Sequence, residues 1–208
     1  MMKESEILRL ILSNNFICPV SNPDVFKYID SDSRVFDRLK SYLSPFDIEF
    51  TKLKDIDVYV GLNISPNEVD KRAVVKQFED VFHNIEPIIE MIACLAAADQ
   101  DGSVLSMGES LTLAELTLIA NENKHFESML NEIAILLGVT KKANDEKIEA
   151  LLERLRRHGL VRLIDSSKKV YRVTGKIDYI YSINNYILEN HLGMVIDEEL
   201  EQQQGLEL

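Results

Sequence analysis

The stretch Leu152-Glu153-Arg154-Leu155-Arg156-Arg157-His158-Gly159-Leu160-Val161 decides the predicted fold of this 208-residue chain. It ends an amphipathic helix, and Gly159 stands where a helix stops in the left-handed conformation that glycine adopts easily. Two apolar segments follow, Val161 to Ile164 and Val170 to Thr174, separated by the polar Asp165-Ser166-Ser167-Lys168-Lys169. A helix followed by such a hairpin is typical of a winged helix, which adds a β-hairpin wing to a helix-turn-helix core.

The residues in front of this stretch supply the other helices of the same unit. The apolar run from Ile88 to Ala97 predicts a buried helix, which a polar loop follows. Thr112-Leu113-Ala114-Glu115 is a capping box and opens a short helix. Phe126 to Leu137 predicts a further helix with Gly138 as its stop, and Asn144 is the predicted cap of the last helix.

The N-terminal part of the chain follows the same plan. Three segments, Lys3 to Ser13, Ser21 to Ile29 and Ser33 to Leu43, carry apolar residues at helical spacing. Beyond Pro45 the apolar spacing changes to two, so Asp47 to Leu62 predicts a β-hairpin. Three helices followed by a hairpin again indicate a winged helix. The architecture is therefore predicted to repeat, although no residue-level identity links the two halves.

A long helix is predicted to connect these units. Ser65-Pro66-Asn67-Glu68 is a second capping box with proline at the first helical position, and Pro87 ends the segment. The predicted fold is mainly α with small β-hairpins (α+β), in which tandem winged-helix domains are joined by a long helix. The predicted divisions are an N-terminal winged-helix-like domain at 1–64, a linker helix at 65–87, a C-terminal winged-helix domain at 88–190 and an acidic tail at 191–208.

Positive charge is concentrated in one part of this acidic chain. The formal net charge is −12, yet Lys141 to Lys176 holds eleven Lys and Arg against five Asp and Glu. This segment coincides with the last helix and wing of the second unit, the parts of a winged helix that touch DNA. Seven residues are predicted to contact DNA phosphates: Lys141, Lys142, Lys147, Arg154, Arg157, Lys168 and Lys169. No Asn or Gln stands at the middle of the exposed helix face, so backbone binding without sequence specificity is expected.

A solvated helix face is the alternative interpretation of these charges. Glu149 and Glu153 lie among the basic residues, and Glu153 can pair with Arg157 four positions later.

The helix and wing resemble those of MukE, the small accessory subunit of the Muk bacterial condensin. The match covers Leu152 to Val161, then Asp165-Ser166-Ser167-Lys168 and Tyr171-Arg172-Val173-Thr174. The MksE subunits and the related subunit of anti-plasmid SMC defence systems share the pattern. The resemblance depends on the glycine stop and the Ser-Ser-Lys wing together, since Arg-Leu-Arg-Arg alone is common.

The resemblance implies a tandem winged-helix protein that dimerises and binds a kleisin subunit of the MukF or MksF type. Such a protein sits below the heads of an SMC ATPase of the MukB or MksB type and helps to hold double-stranded DNA. The expected function is that of a non-catalytic accessory subunit in chromosome organisation and segregation. Two alternatives are the equivalent subunit of an anti-plasmid defence system and a stand-alone winged-helix transcription regulator.

Other function classes find little support in the sequence. There is no Walker A loop, and the four histidines lack the spacing of a zinc site, so neither an enzyme nor a cofactor is predicted. The N-terminal residues do not form a signal peptide, and no apolar run has the length of a membrane span. The expected location is the cytoplasm, in association with the nucleoid and without membrane contact.

Overall fold

The structure is a computed structural model with a mixed α/β fold, in which helices pack on two small antiparallel sheets. It describes residues 4–13, 16–53, 56–63, 89–98 and 105–182. The predicted linker helix at 65–87 and the predicted acidic tail at 191–208 lie outside these ranges.

The first unit has three helices followed by a hairpin, as the sequence predicts. Its elements are α1 (Glu4–Leu12), α2 (Pro23–Asp30), α3 (Ser33–Leu43), a 3-10 turn (Ser44–Phe46), β1 (Ile48–Lys52) and β2 (Tyr59–Asn63). Helix α3 begins after Asp32, whose side chain accepts a hydrogen bond from the backbone N–H of Arg34. Its buried residues Val35, Leu39 and Leu43 recur at helical spacing and face the hairpin and α1.

Strand β2 is the central strand of this first unit. It pairs antiparallel with β1, and Tyr59 also forms an isolated antiparallel bridge with Ile17. Gly61 lies against α1, and a Cβ atom there would stand 2.6 Å from the side chain of Ile11. The glycine therefore allows the helix to pack closely on the strand.

The second unit also has helices followed by a hairpin, but its described residues form two more helices and one more strand than those of the first. It comprises α4 (89–96), β3 (Ser110–Thr112), α5 (Leu113–Glu122), α6 (Lys124–Leu136), α7 (Asn144–Arg157), β4 (Val161–Asp165), β5 (Val170–Val173) and α8 (176–182). Its three strands are antiparallel in the order β3-β5-β4. The sequence does not predict the short strand β3, because the predicted polar loop ends at Glu109 and the two residues before Thr112 are assigned to no element.

Most helix boundaries of the second unit agree with the predicted caps. The hydroxyl of Thr112 accepts from the backbone N–H of Glu115, as expected of a capping box. Gly138 and Gly159 both have positive φ, of 66° and 73°. The prediction that Asn144 caps α7 is wrong. The preceding residue, Ala143, occupies that position, and the Asn144 amide instead donates to Asn121 on α5.

The two units contact each other through a small apolar cluster. Val58 of the first hairpin packs with Cys18, and Met107 of the second unit lies against them. Gly175, which follows β5, comes so close that a Cβ atom there would stand 2.5 Å from the Val58 side chain and 3.3 Å from the Cys18 Cβ. The segment 16–23 therefore lies at the boundary between the two units.

Candidate nucleic-acid interface

The candidate site is centred on helix α7, and one face of this helix is fully buried. Ile148, Leu151, Leu152 and Leu155 pack into the core of the second unit, which leaves the charged residues on the remaining surface. The last turn is strongly basic, with Arg154, Arg156 and Arg157. Positive charge at a helix C-terminus is favoured by the helix dipole, so this concentration does not by itself destabilise the helix.

Arg154 and Arg157, two of the predicted contacts, lie near two further basic groups. The pKa of His158 is lowered by burial first and then by the positive charges of Arg154, Lys176 and Arg157. The Lys176 Nζ donates to the carbonyl of His158 at 2.8 Å, and burial lowers the pKa of this amine. Four basic side chains therefore surround the C-terminal end of α7.

The expected pair between Glu153 and Arg157 does not form. The Glu153 carboxylate instead accepts from Arg156 Nε at 2.8 Å and from the Tyr171 hydroxyl at 2.9 Å. Arg157 donates its Nε to the backbone carbonyl of Glu153, at 3.4 Å. Neither Arg154 nor Arg157 forms an ion pair with a carboxylate of the described residues, and both are at least partly exposed. Their charge remains available to an external anion.

Three of the predicted contacts lie near the start of α7, and two of them are engaged by other side chains. Lys147 is half-buried and donates to the Asn131 side chain on α6 at 2.6 Å. Lys141 pairs with Glu146 at 3.4 Å. Lys142 is exposed and forms no ion pair within the described part of the chain. Lys147 is predicted as a phosphate contact together with Arg154 and Arg157, but the neighbouring helix engages its amine.

The other two predicted contacts, Lys168 and Lys169, lie at the tip of the second hairpin. The Asp165 carboxylate accepts from the backbone N–H groups of Ser167 and Lys168, which stabilises the turn. Lys168 is exposed, whereas Lys169 pairs with Glu149 on α7 at 2.9 Å. Strand β4 spans five residues, about 16 Å at the usual rise, and separates this tip from the end of α7. The seven predicted residues therefore occupy three places rather than one cluster.

Two arginines of the sheet extend the basic surface, and they had not been singled out. Arg162 on β4 and Arg172 on β5 stand directly opposite each other in the register, and both are exposed. The Arg162 Nη1 donates to the carbonyls of Val20 at 2.9 Å and Ser21 at 3.4 Å. The alternation of buried and exposed residues along the two predicted strands was the signal that both arginines share the outer face of the sheet.

Within the described ranges, no group of three or more His, Cys, Asp or Glu side chains could hold a metal ion. None of the helices that the structure describes is long and apolar enough to cross a membrane. The chain matches no protein-family model, and no curated protein is significantly similar to it in sequence.

Proposed function

We propose that this chain is a non-catalytic accessory subunit of a bacterial SMC or condensin-like complex, which binds a kleisin and contacts DNA without sequence specificity. One observation carries the DNA contact. Arg154 and Arg157 end an exposed helix face and form no ion pair with any described carboxylate, in a chain of net charge −12. In so acidic a protein, unneutralised arginines at one place favour a polyanionic partner.

The topology supports a tandem winged-helix architecture. In the first unit Ile17, which precedes α2 and α3, forms a bridge with β2, and β2 pairs with β1. In the second unit β3 pairs with β5, which pairs with β4. Each unit thus has a first strand or bridged residue, then helices, then a hairpin. The second strand of the hairpin lies between the first strand of the hairpin and that earlier strand or residue, as is expected of a winged helix. Helix α7 then takes the position of the DNA-facing helix.

Sequence-independent binding is supported by the residues of α7. The only side-chain amide on this helix belongs to Asn144, and it is engaged by Asn121 on α5 and Glu127 on α6. Arg and Lys are otherwise the donors on its exposed surface, and they suit phosphate contacts. A transcription regulator would need a base-reading set on this helix, so it remains the less favoured function.

The resemblance to MukE and MksE motivates the assignment of kleisin and SMC partners. The test is co-expression of the tagged chain with the products of its neighbouring genes, followed by purification at moderate salt. Retention of a kleisin and an SMC ATPase would support the proposal. A chain that purifies alone, or that selects a consensus site in a binding-site screen, would contradict it. A nuclease subunit in the retained complex would assign the chain to plasmid defence.

A further inference from the structure

Two clefts flank the segment 16–23 at the boundary between the units. The first, which we call the sheet-face cleft, has a volume of about 320 Å³ and is lined by Pro19, Val20, Pro23, Arg162 and Arg172, among others. The second, the helix-end cleft, has a volume of about 370 Å³ and is lined by Ser21, Asn22, Arg157, His158, Thr174 and Lys176, among others. Each cleft therefore combines residues of the first unit with basic residues of the second.

No acidic residue of the described part of the chain lines either cleft. The chain contains 35 Asp and Glu among 208 residues, or about one in six, and two other clefts of the described residues each include at least one of them. The two hydroxyls that line the helix-end cleft, those of Ser21 and Thr174, already donate to backbone carbonyls, so its basic side chains and the Asn22 amide are the donors that remain for a ligand. The composition of both clefts fits an anionic ligand.

The sheet-face cleft holds two like charges in an unfavourable arrangement. Arg162 and Arg172 are cross-strand partners, and like charges directly opposite each other destabilise a sheet. Arg162 is held in place by the two carbonyls of the 16–23 segment, while Arg172 has no hydrogen bond or ion pair with any described group. An anion between them would relieve the repulsion, and guanidinium groups bind phosphate oxygens with particular strength.

In the helix-end cleft, Lys176 is a second cation beside Arg157. It is partly buried, and one of its three N–H donors is used by the His158 carbonyl. Its Nζ lies 5.5 Å from the centre of the Phe16 ring, which offers a cation–π contact. Among the described residues no carboxylate pairs with it. An ammonium group in this setting is better stabilised when an anion occupies the cleft.

We infer that the sheet-face cleft and the helix-end cleft together form one phosphate-binding seam, along which the backbone of double-stranded DNA lies. This inference rests on the proposed function and names the surface that carries it. Arg162 links the two clefts. It lines the sheet-face cleft, and it donates to the carbonyls of Val20 and Ser21 in the segment 16–23, which also lines the helix-end cleft. The seam includes residues 16–23, so DNA contacts the first unit as well as the second, and the boundary between them is part of the binding surface.

The test uses the full chain and a short labelled duplex of arbitrary sequence, titrated over a series of salt concentrations. Arg172→Ala is the main variant, because the Arg172 side chain is exposed and forms no hydrogen bond or ion pair with a described group. Arg34→Ala is the matched control, since Arg34 is an 82% exposed arginine on α3 that pairs with Asp32. We expect Arg172→Ala to weaken binding about five- to tenfold at 0.1 M salt and to make the salt dependence shallower by about 0.9.

Two results would separate the failure of this inference from the failure of the proposed function. If the parent chain binds DNA and Arg154→Glu/Arg157→Glu weakens it, but Arg172→Ala behaves like Arg34→Ala, the seam is overturned and the proposed function stands. If the parent chain shows no DNA binding at low salt, both are overturned. Inorganic phosphate supplies a second readout. It should raise the melting temperature of the parent chain more than that of Arg172→Ala, and equal shifts would count against the seam.

Discussion

The two units of this chain both have helices followed by a hairpin but differ in how their charges are neutralised. Helix α3 of the first unit and α7 of the second both precede a hairpin. Each cation of α3 lies within ion-pair distance of a carboxylate, as Arg34 does to Asp32, Arg38 to Glu4 and Lys40 to Glu49. At the end of α7, Arg154 and Arg157 have no such partner among the described residues. The order of elements alone therefore does not determine which helix keeps unpaired cations, because that depends on where the carboxylates lie.

The central strands of the two units, β2 and β5, each carry a buried tyrosine. Tyr59 bridges to Ile17 in the first unit, and Tyr171 pairs with Leu111 in the second. Each tyrosine hydroxyl donates to a carboxylate at 2.9 Å, Tyr59 to Asp30 on α2 and Tyr171 to Glu153 on α7. Burial, followed by this carboxylate, raises the pKa of each hydroxyl to about 12. In the second unit the hydrogen bond reaches the helix of the candidate site itself, and thereby links its position to the sheet.

The largest effect is expected from the two cores. Leu39 on α3 and Leu155 on α7 are both fully buried, at 0% exposure. Replacing either by alanine should lower the free energy of unfolding by about 2–5 kcal/mol, because a cavity remains where the side chain packed. Chemical denaturation followed by circular dichroism measures the loss. Coincident transitions in both variants would indicate that the units unfold together, whereas a separate transition in one variant would show that the boundary couples them weakly.

Reversing the charges at the end of α7 should have the next largest effect. Arg154→Glu combined with Arg157→Glu removes two phosphate contacts, each worth about five- to tenfold in affinity at 0.1 M salt. The combined loss is therefore at least about 25-fold, or about 2 kcal/mol. Fluorescence anisotropy with a labelled duplex measures it, and an unchanged melting temperature would show that the fold is intact.

A matched double variant in the first unit supplies the control for this comparison. Arg34→Glu with Lys40→Glu changes the net charge by the same amount on α3, where both cations already pair with carboxylates. Its effect on DNA affinity should be several-fold smaller, since only long-range repulsion acts. Equal losses in the two double variants would mean that net charge, and not the end of α7, controls binding.

The sequence predicted most helices of the described residues, because the apolar residues of an amphipathic helix recur at a regular spacing. It missed β3 and the bridge at Ile17, since a strand of three residues and a single bridged residue are too short to show a period of two. Gly159 was placed correctly, because a left-handed helix end favours glycine strongly.

The candidate site was harder to predict, because it depends on neighbours that lie far away in sequence. The engagement of Lys147 by Asn131 depends on how α6 packs beside α7. The pair between Lys169 and Glu149 depends on the hairpin folding back on that helix. The opposition of Arg162 and Arg172 follows only from the register of two strands, which a charge count along the chain does not contain. Helical periodicity reports what one element exposes, and tertiary packing then decides which exposed charges remain unpaired.

Removing the tyrosine hydroxyls should have a smaller effect that differs between the units. Tyr171→Phe and Tyr59→Phe each lose one partly buried hydrogen bond, at a cost of about 1 kcal/mol in the free energy of unfolding. Because Glu153 lies on α7, Tyr171→Phe should also lower DNA affinity slightly, whereas Tyr59→Phe should leave it unchanged. Urea denaturation and anisotropy on the same preparations measure both quantities. A fall in affinity for Tyr59→Phe alone would reverse the roles assigned to the two units.

The smallest predicted effect concerns Asp30, the carboxylate that Tyr59 shares with Lys52. Hydrogen bonds from Lys52 and then Tyr59 hold the pKa of this carboxyl below its usual value of 3.8. A lowered pKa in the folded state means that the stabilisation is present above about pH 4 and is lost as the pH falls through the lowered value. Asp30 is a surface residue, so Asp30→Asn should cost only about 0.2–1 kcal/mol at neutral pH.

The pH dependence distinguishes this charge effect from a loss of packing. The amide oxygen of the asparagine can still accept from Tyr59, so the variant loses the charge and keeps the hydrogen bond. The difference in unfolding free energy between the parent chain and Asp30→Asn should therefore shrink on acidification below about pH 4. Urea denaturation at neutral and at acidic pH measures it. A difference that stays constant would show that Asp30 acts through its shape and not through its charge, and that Lys52 is neutralised by Asp57, which lies 2.9 Å away.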